Sequence, residues 1–271
     1  MNILFYFFIF LIGITFGSFF TLAVYRIPLR QDITHTRSYC PKCNHKLSFW
    51  DMIPVFSYIF LGGKCRYCGN KIRIRYLLLE ILSGLVFVLL AISIKLNAFS
   101  LNLSTISYFS FITLYVAGLF IIAGIDKERL EIRNELILYI IIIQVLYIIY
   151  LYIVEKANIY RYVIYLFVLV LTTVLNNIYL NKNTKNSYAI QSILLIFVMW
   201  GSTYEVCTFL TITCTLIAIS INILLNTIKE KRKKFVKKDE SNLVNYKIPI
   251  AYYLCVSNII MIIATNFIIF Y

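Results

Sequence analysis

The sequence ILFYFFIFLIGITFGSFFTLAV, residues 3–24, contains no charged side chain. A helix that crosses the hydrocarbon core of a bilayer needs about 20 predominantly apolar residues, so this stretch is long enough to span a membrane. It is too long for the apolar part of a cleaved signal peptide, lacks a basic segment before it, and has no A-x-A-like site at its end. We therefore expect it to be a transmembrane helix and not a signal peptide.

The rest of the chain repeats this pattern. Hydrophobic residues make up 61% of the 271 positions and charged residues 14%, whereas a soluble domain is about half apolar and about a quarter charged. This composition excludes an ordinary soluble globule. We predict an all-α polytopic membrane protein of about eight transmembrane helices, because helices satisfy their own backbone hydrogen bonds in lipid. The predicted runs are Ile3–Val24, Leu77–Ile94, Ile106–Ile125, Leu136–Val154, Tyr162–Leu180, the short Tyr188–Trp200, Val206–Leu225 and Ile248–Tyr271.

The basic residues are divided unevenly between the loops that join these runs. Of the 26 Lys and Arg residues, 23 fall in alternate loops, and the formal net charge is +14. Since loops rich in Lys and Arg stay in the cytoplasm, we expect a multi-pass protein of the cytoplasmic membrane with both termini facing outward. This placement argues against a nucleic-acid partner. The cluster at residues 229–238 is expected either to contact anionic membrane lipids or to be a solvated loop.

Four of the seven cysteines lie in one predicted cytoplasmic loop, as Cys40-Pro-Lys-Cys43 and Cys65-Arg-Tyr-Cys68. Two C-x2-C pairs at this separation are typical of a tetrahedral Zn2+ site, because they supply four thiolates. We predict a small zinc-ribbon-like loop over residues 40–68. Two disulfides are the alternative, which a reducing cytoplasm disfavours. Unliganded thiols and a redox pair are also open, although no βαβ pattern surrounds the pairs.

Short motifs surround the cysteine pairs. They are Gly17-Ser-Phe, Tyr25-Arg-Ile-Pro28, Trp50-Asp51-Met-Ile-Pro54, Arg75-Tyr76 and Glu80-Ile-Leu-Ser-Gly84. Together they resemble the amino-terminal domain of bacterial prepilin peptidases, over about residues 10–90. The resemblance implies an amino-terminal prepilin-peptidase domain over residues 1–95 and a degenerate catalytic membrane domain over residues 106–271.

The prepilin peptidase resemblance also implies an activity. Members of this family are membrane aspartyl peptidases that cut the leader from type IV prepilins or type II secretion pseudopilins at the cytoplasmic membrane face. They then transfer a methyl group from S-adenosylmethionine to the new amino terminus. We therefore expect prepilins or pseudopilins as partners in the bacterial inner membrane. S-adenosylmethionine enters through the resemblance only, since the sequence has no G-x-G-x-x-G fingerprint for a Rossmann pocket.

The first catalytic motif of the family has a counterpart in this chain. Ile125-Asp126, followed by Ile132-Arg133-Asn134, resembles it, with Arg133 where a proline is usual, and the resemblance implies that Asp126 is catalytic. Near the end of the chain, Lys247-Ile-Pro249 resembles a second family segment.

The second catalytic motif of the family, Gly-Asp-x-Lys, is degenerate here. Aligned through Trp200-Gly201, it falls on residues 188–191, so that Ala189 stands where the Asp is expected and Gln191 where the Lys is expected. Residues 127–238 contain no aspartate. Aspartyl peptidases use two carboxylates at close range, one as base and one as acid. The methyl side chain of Ala189 can act as neither.

Three functions remain open at this point. The first is a prepilin leader peptidase and N-methyltransferase that uses Asp126. The second is a non-proteolytic relative that only methylates or binds pilins, because of Ala189. The third is a transporter or lipid-binding protein, for which Glu80 is the charge that stands out within the apolar runs.

Overall fold

The computed structural model describes residues 2–99, 102–154, 162–167, 170–171, 173–174, 187–203, 205–236 and 248–270. Within these residues the chain is helical and contains no strand beyond two isolated β-bridges. The helices are α1 (Asn2–Arg26), α2 (Phe56–Phe60), α3 (Ile74–Ser93), α4 (Leu103–Arg129), α5 (Asn134–Ile153), α6 (Ser187–Ser202), α7 (Glu205–Val236) and α8 (Ile250–Phe270).

The predicted all-α membrane architecture is confirmed. Among the described residues, six helices are long and apolar enough to cross a bilayer, namely α1, α3, α4, α5, the segment Val206–Ile228 of α7, and α8. A seventh, α6, is shorter, as its predicted run was. Most of the predicted run Tyr162–Leu180 lies outside the described residues, although residues 162–167 are helical. The basic cluster at 229–238 also lies outside the residues whose side chains are described.

The described residues form two compact units. One comprises Met1–Ile121 and Ile263–Tyr271, and the other comprises Ile122–Ile262. The sequence analysis predicts a domain boundary between residues 95 and 106, whereas the first compact unit extends to Ile121. The two predicted functional domains stay a proposal. The four cysteines lie in the first unit and Asp126 lies in the second.

In the first unit, α1 packs closely against α3 through glycines. A Cβ atom on Gly13 would lie 2.7 Å from the Cα of Gly84, and one on Gly17 would lie 2.7 Å from the Cα of Glu80 and overlap the Ser83 hydroxyl. The Ser83 hydroxyl donates a hydrogen bond to the carbonyl of Gly13 at 2.8 Å. Small residues spaced four apart let two helix backbones approach in a membrane, where dispersion contacts and hydrogen bonds drive the packing.

Arg26, the last residue of α1, holds the chain that follows it. Its side chain is buried, and it donates to the backbone carbonyls of Asp32 and Thr36 at 2.9 and 2.8 Å, and to the Thr36 hydroxyl at 2.7 Å. These bonds turn residues 32–37 back beside the helix end. The chain then enters the four-cysteine loop at Cys40 in a fixed position.

In the second unit, α5 packs against α6, and α6 packs against α7. The core around these contacts is closely packed, with Ile140, Leu195 and Val198 fully buried. Cys207 and Cys255 are also fully buried, as expected for small core residues, whereas Cys214 is partly exposed.

Candidate functional site

The four-cysteine loop is built from two similar turns, 25 residues apart. In the first, the N–H of Asn44 donates to the carbonyl of Cys40 at 2.8 Å; in the second, the N–H of Gly69 donates to the carbonyl of Cys65 at 2.9 Å. Asn44 and Gly69 both have a positive φ, at 55° and 66°. Asn and Gly are the residues that adopt this conformation most readily, which explains why each C-x2-C pair is followed by one of them.

An isolated antiparallel β-bridge closes each turn, Tyr39 with Lys46 and Lys64 with Lys71. In each turn the first cysteine, Cys40 or Cys65, is buried and the second is exposed. The backbone thus presents two sulfurs from each turn toward a common point.

The four sulfurs have the geometry of a metal centre. All four lie within 4.8 Å of one another, and the sulfurs of Cys40 and Cys68 are 3.8 Å apart. Four Zn–S bonds of about 2.3 Å in a tetrahedron place the sulfurs about 3.8 Å apart, whereas a disulfide needs about 2.05 Å. All four cysteines are free thiols. The cluster can therefore hold a metal ion, and its donor set fits Zn2+.

The thiols of this cluster do not titrate alike. Burial raises the pKa of Cys40, but the backbone N–H groups of Cys43 and Lys42 stabilise its thiolate more strongly, and the pKa falls to about 7. For Cys68 the N–H of Asn70 lowers the pKa, but burial and the three neighbouring thiols outweigh it and raise the pKa to about 11. Without a metal, one thiolate therefore opposes the ionisation of the next. A bound cation reverses this effect, because its charge stabilises every thiolate.

An ion pair between a shielded carboxylate and a half-exposed arginine supports the loop between the two cysteine pairs. The Asp51 carboxylate accepts a hydrogen bond from Arg66 Nε at 2.7 Å and from the Ser48 hydroxyl at 2.8 Å. The Asp51 side chain is only 2% exposed. Although burial alone raises the pKa of Asp51, Ser48 and Arg66 together hold it below its usual range.

Asp126, the second predicted site residue, lies in the last turn of α4. The helix ends at Arg129, and the next residue, Leu130, has a positive φ and donates its N–H to the carbonyl of Asp126 at 2.9 Å. The carboxylate is fully buried. Such a carboxylate needs hydrogen-bond donors, since an unpaired buried charge is strongly unfavourable.

The donors to Asp126 come from the two other segments that the sequence prediction singled out. The Tyr188 hydroxyl donates to Oδ1 at 2.9 Å, and the backbone N–H of Tyr252 donates to Oδ2 at 2.7 Å. Tyr252 is in the first turn of α8, just after Pro249. The carboxylate therefore lies at a helix N-terminus, where free N–H groups and the helix dipole favour negative charge.

Tyr188 links the three segments. While its hydroxyl donates to Asp126, the hydroxyl oxygen accepts hydrogen bonds from the N–H groups of Ile250, at 2.8 Å, and Ala251, at 3.4 Å. The next residue, Ala189, is exposed. The residue that meets Asp126 is thus Tyr188, at the position aligned with the glycine of the family motif, and not the residue aligned with its second Asp.

The neighbouring motif residues also meet. The Gln191 side-chain amide donates to Oδ1 of Asn134 at 2.8 Å, which joins the degenerate second motif to the first. Of the acidic residues near Asp126 in sequence, Glu131 pairs with Arg133 at 3.0 Å.

The sequence prediction missed Tyr188 and the Tyr252 N–H. A tyrosine among 22 in the chain gives no signal of its own, and a backbone donor gives none at all, although Pro249 marks the start of α8.

Comparisons with known proteins match the amino-terminal region. Residues 11–94 match the family described as Bacterial Peptidase A24 N-terminal domain. The chain is similar to the Prepilin leader peptidase/N-methyltransferase of Myxococcus xanthus, with 44% identity over 84 residues, which are 31% of this chain and 25% of the relative.

Two further relatives carry the same name. The Klebsiella pneumoniae protein is 39% identical over 88 residues, covering 30% of this chain and 39% of the relative. The Bacillus subtilis protein is 32% identical over 131 residues, covering 48% of this chain and 49% of the relative. The matches thus span between a quarter and about half the length of these relatives. No solved structure matches the chain. Residues 11–94 of the chain are thus similar to the amino-terminal domain of bacterial A24 peptidases, and the named relatives are matched over only part of their length.

Proposed function

We propose that the chain is a prepilin leader peptidase and N-methyltransferase of the bacterial inner membrane. It would cleave the leader of type IV prepilins or pseudopilins at the cytoplasmic face and methylate the new amino terminus. The observation that carries this proposal is the family match over residues 11–94 together with the intact four-cysteine cluster inside it. The uneven distribution of Lys and Arg supports the orientation, with both termini outward.

In this proposal the region over residues 1–95 is the amino-terminal domain, and Cys40, Cys43, Cys65 and Cys68 hold Zn2+. The ion is structural, because four sulfurs leave no open coordination position for a substrate or water. The region over residues 106–271 is the catalytic membrane domain, with Asp126 as the catalytic carboxylate. Asp126 would take a proton from the water that attacks the scissile carbonyl.

The methyl donor also has a candidate site in the first unit. A cavity of about 730 Å3 is lined by residues of α1, the four-cysteine loop and α3, including Glu80, Tyr39 and Tyr76. Small-molecule sites have volumes of about 300–1,000 Å3, and a cavity whose lining includes a carboxylate and aromatic rings can take a cationic sulfonium. S-adenosylmethionine would supply the methyl group there. Equilibrium binding of labelled S-adenosylmethionine, with Glu80→Gln as the weakened variant, tests the assignment without an activity assay.

The geometry around Asp126 favours a second candidate, the non-proteolytic relative that only methylates or binds pilins. Both carboxylate oxygens already accept hydrogen bonds, from Tyr188 and from the backbone of Tyr252. Ala189, aligned with the second Asp, is exposed and carries no acid. In this candidate Asp126 joins α4 to the start of α8 and has no catalytic role.

One experiment separates the two candidates. The protein in nanodiscs is incubated with a prepilin that carries its leader, and both leader removal and N-methylation are followed by mass spectrometry. For the peptidase we expect cleavage that Asp126→Asn lowers by several orders of magnitude, whereas Glu128→Gln, in the same turn, leaves it unchanged. Absence of cleavage by the unaltered protein contradicts the peptidase and supports the second candidate.

A variant with an acid at position 189 makes the cleavage experiment more decisive. Ala189→Asp supplies the second carboxylate, and Ala189→Asn is the uncharged control of nearly equal size. Cleavage that appears with Asp but not with Asn indicates a peptidase that has lost one acid. Robust cleavage by the unaltered chain defeats the non-proteolytic candidate.

A further inference from the structure

Five large apolar side chains in the four-cysteine loop face away from the protein. They belong to a short 3-10 turn (Trp50–Met52) with the residue before it, and to α2. Each is between 48% and 84% exposed. We call them the aromatic patch: Phe49, Trp50, Phe56, Ile59 and Phe60.

The aromatic patch is one surface on a rigid support. The 3-10 turn and α2 pack against each other, and the rings of Phe49 and Trp50 lie 6.0 Å apart, edge to face. Beneath Trp50, the Asp51 side chain points inward and is held by Ser48 and Arg66. Solvent-exposed aromatic residues on a fixed backbone need a partner that removes them from water, since exposed apolar patches mark interaction sites.

A hydrogen bond to α3 shows where the aromatic patch lies along the axis of the membrane helices. The N–H of Val55, directly before α2, donates to the Glu80 carboxylate at 2.7 Å. Glu80 is the seventh residue of α3, about 9 Å from the start of that helix at 1.5 Å per residue. On α1, Gly17 packs against Glu80, about 13 Å before the end of that helix. Val55 therefore lies beside the first turns of α3 and not beyond its end.

The α3 helix has 20 residues and is one of the candidate spans. It is thus about 30 Å long, which equals the thickness of the hydrocarbon core. Val55, beside Glu80, therefore lies about 9 Å from one end of this span, within the about 5–10 Å over which interfacial segments bury their apolar side chains. Trp is enriched at the membrane interface, and Trp, Phe and Leu form the apolar face of segments that lie in it.

The charge of the four-cysteine loop also fits a membrane surface. Residues 40–73 contain six Lys and Arg residues and a single acid, Asp51, which is buried and paired with Arg66. Lys42, Lys46, Lys64 and Lys71 are exposed. Basic side chains beside an inserted apolar surface are attracted by anionic headgroups.

We propose that the aromatic patch inserts into the interface of the bilayer that α1 and α3 cross, with the surrounding lysines against anionic lipid headgroups. The membrane would then fix the orientation of the four-cysteine loop. This binding mode does not depend on whether the chain cleaves prepilins. The partner is lipid, and a protein that covers the patch is the alternative that the experiment must separate.

The chain contains two tryptophans, Trp50 and Trp200, so Trp200→Phe leaves Trp50 as the only tryptophan, which is excited at a wavelength that the 22 tyrosines do not absorb. The full chain is placed in nanodiscs of phosphatidylcholine and phosphatidylglycerol, with acyl chains brominated near the headgroup or not brominated. We expect brominated lipid to quench most of the Trp50 emission, and aqueous acrylamide to quench little of it. Absence of quenching by brominated lipid overturns the proposal. Full quenching by acrylamide then shows that water meets the patch, and quenching by neither agent shows that a protein partner covers it.

Two matched measurements complete the test. Phe49→Ser with Phe60→Ser should weaken the quenching of Trp50 by bromine while the metal content stays unchanged, since neither residue is part of the cluster. Phosphatidylcholine alone should give a smaller bromine effect than the mixture with phosphatidylglycerol. Equal quenching in both lipids contradicts the role given to the lysines.

Discussion

The amino-terminal region and the region around Asp126 differ in how many of the residues expected at each site are present. Around the cysteines, each element that the geometry needs is present: four sulfurs, two residues with positive φ, and the Asp51–Arg66 ion pair. Around Asp126, the motif positions still meet, but a tyrosine hydroxyl and a backbone N–H bond to the carboxylate. The comparison teaches that helix packing can bring the aligned motif positions together although Ala189 stands where the family resemblance predicts an Asp.

Loss of a sulfur should have the largest effect. Cys40→Ser breaks the four-thiolate set, and structural Zn2+ contributes about 10–16 kcal/mol to the folding of small zinc domains. We expect the purified variant to lose its metal and the loop over residues 40–72 to become sensitive to protease. Cys214→Ser, outside the cluster, should do neither. Metal content is measured by atomic emission, and a stoichiometric ion in Cys40→Ser would show that the cluster is not the binding site.

The packing of α1 on α3 comes next. Gly17→Ala places a methyl group against the backbone of Glu80 and the Ser83 hydroxyl, and overpacking of this kind costs about 1–3 kcal/mol. We expect a lower thermal unfolding midpoint in detergent. Thr15→Ala, exposed on the same helix, is the control. An unchanged midpoint for Gly17→Ala would mean that the two helices are not in contact there.

A test of the second region is Tyr188→Phe. The change removes the donor to a fully buried oxygen of Asp126, and an unsatisfied buried group costs about 1–3 kcal/mol. We expect lower thermal stability. Tyr252→Phe, which keeps its backbone N–H and removes only a hydroxyl facing Lys127, should change stability less. If both variants unfold alike, the Tyr188 bond does not hold Asp126.

The smallest effect concerns pH. The pKa of Asp51 is lower in the folded loop than in an unfolded chain. Its stabilising contribution is therefore complete above the ordinary aspartate pKa, and it is lost as the pH falls through the lowered value. Trp50 fluorescence in the Trp200→Phe chain should follow this transition below about pH 4. Asp51→Asn should remove that part of the pH dependence, and a profile identical to that of the parent would show that another group is responsible.

The sequence predicts the helices well because their signal is local. The run Ile3–Val24 became α1 (Asn2–Arg26), and Ile106–Ile125 became α4 (Leu103–Arg129). The helices extend past the apolar runs, since backbone hydrogen bonding continues where the side chains reach the headgroups or water. The cysteine cluster was also predictable, because C-x2-C spacing and the following Asn or Gly set the geometry within a few residues.

The partners of Asp126 could not be predicted in the same way. Tyr188 is 62 residues from Asp126, and the Tyr252 N–H is 126 residues away, so their meeting depends on the packing of three helices. An alignment with the family places Ala189 in the position of interest. On a helix, however, neighbouring residues point about 100° apart, and it is Tyr188 whose side chain reaches the carboxylate.

The repeated turns around the cysteines have a consequence for the order in which the loop assembles. Each turn already brings two sulfurs together through short-range backbone bonds, so the first two ligands of an ion are available from either half alone. Completing the set requires closure of the 21 residues between Cys43 and Cys65, whose entropic cost depends on their length and stiffness. A cut in this connecting segment would therefore weaken metal retention without altering a single ligand.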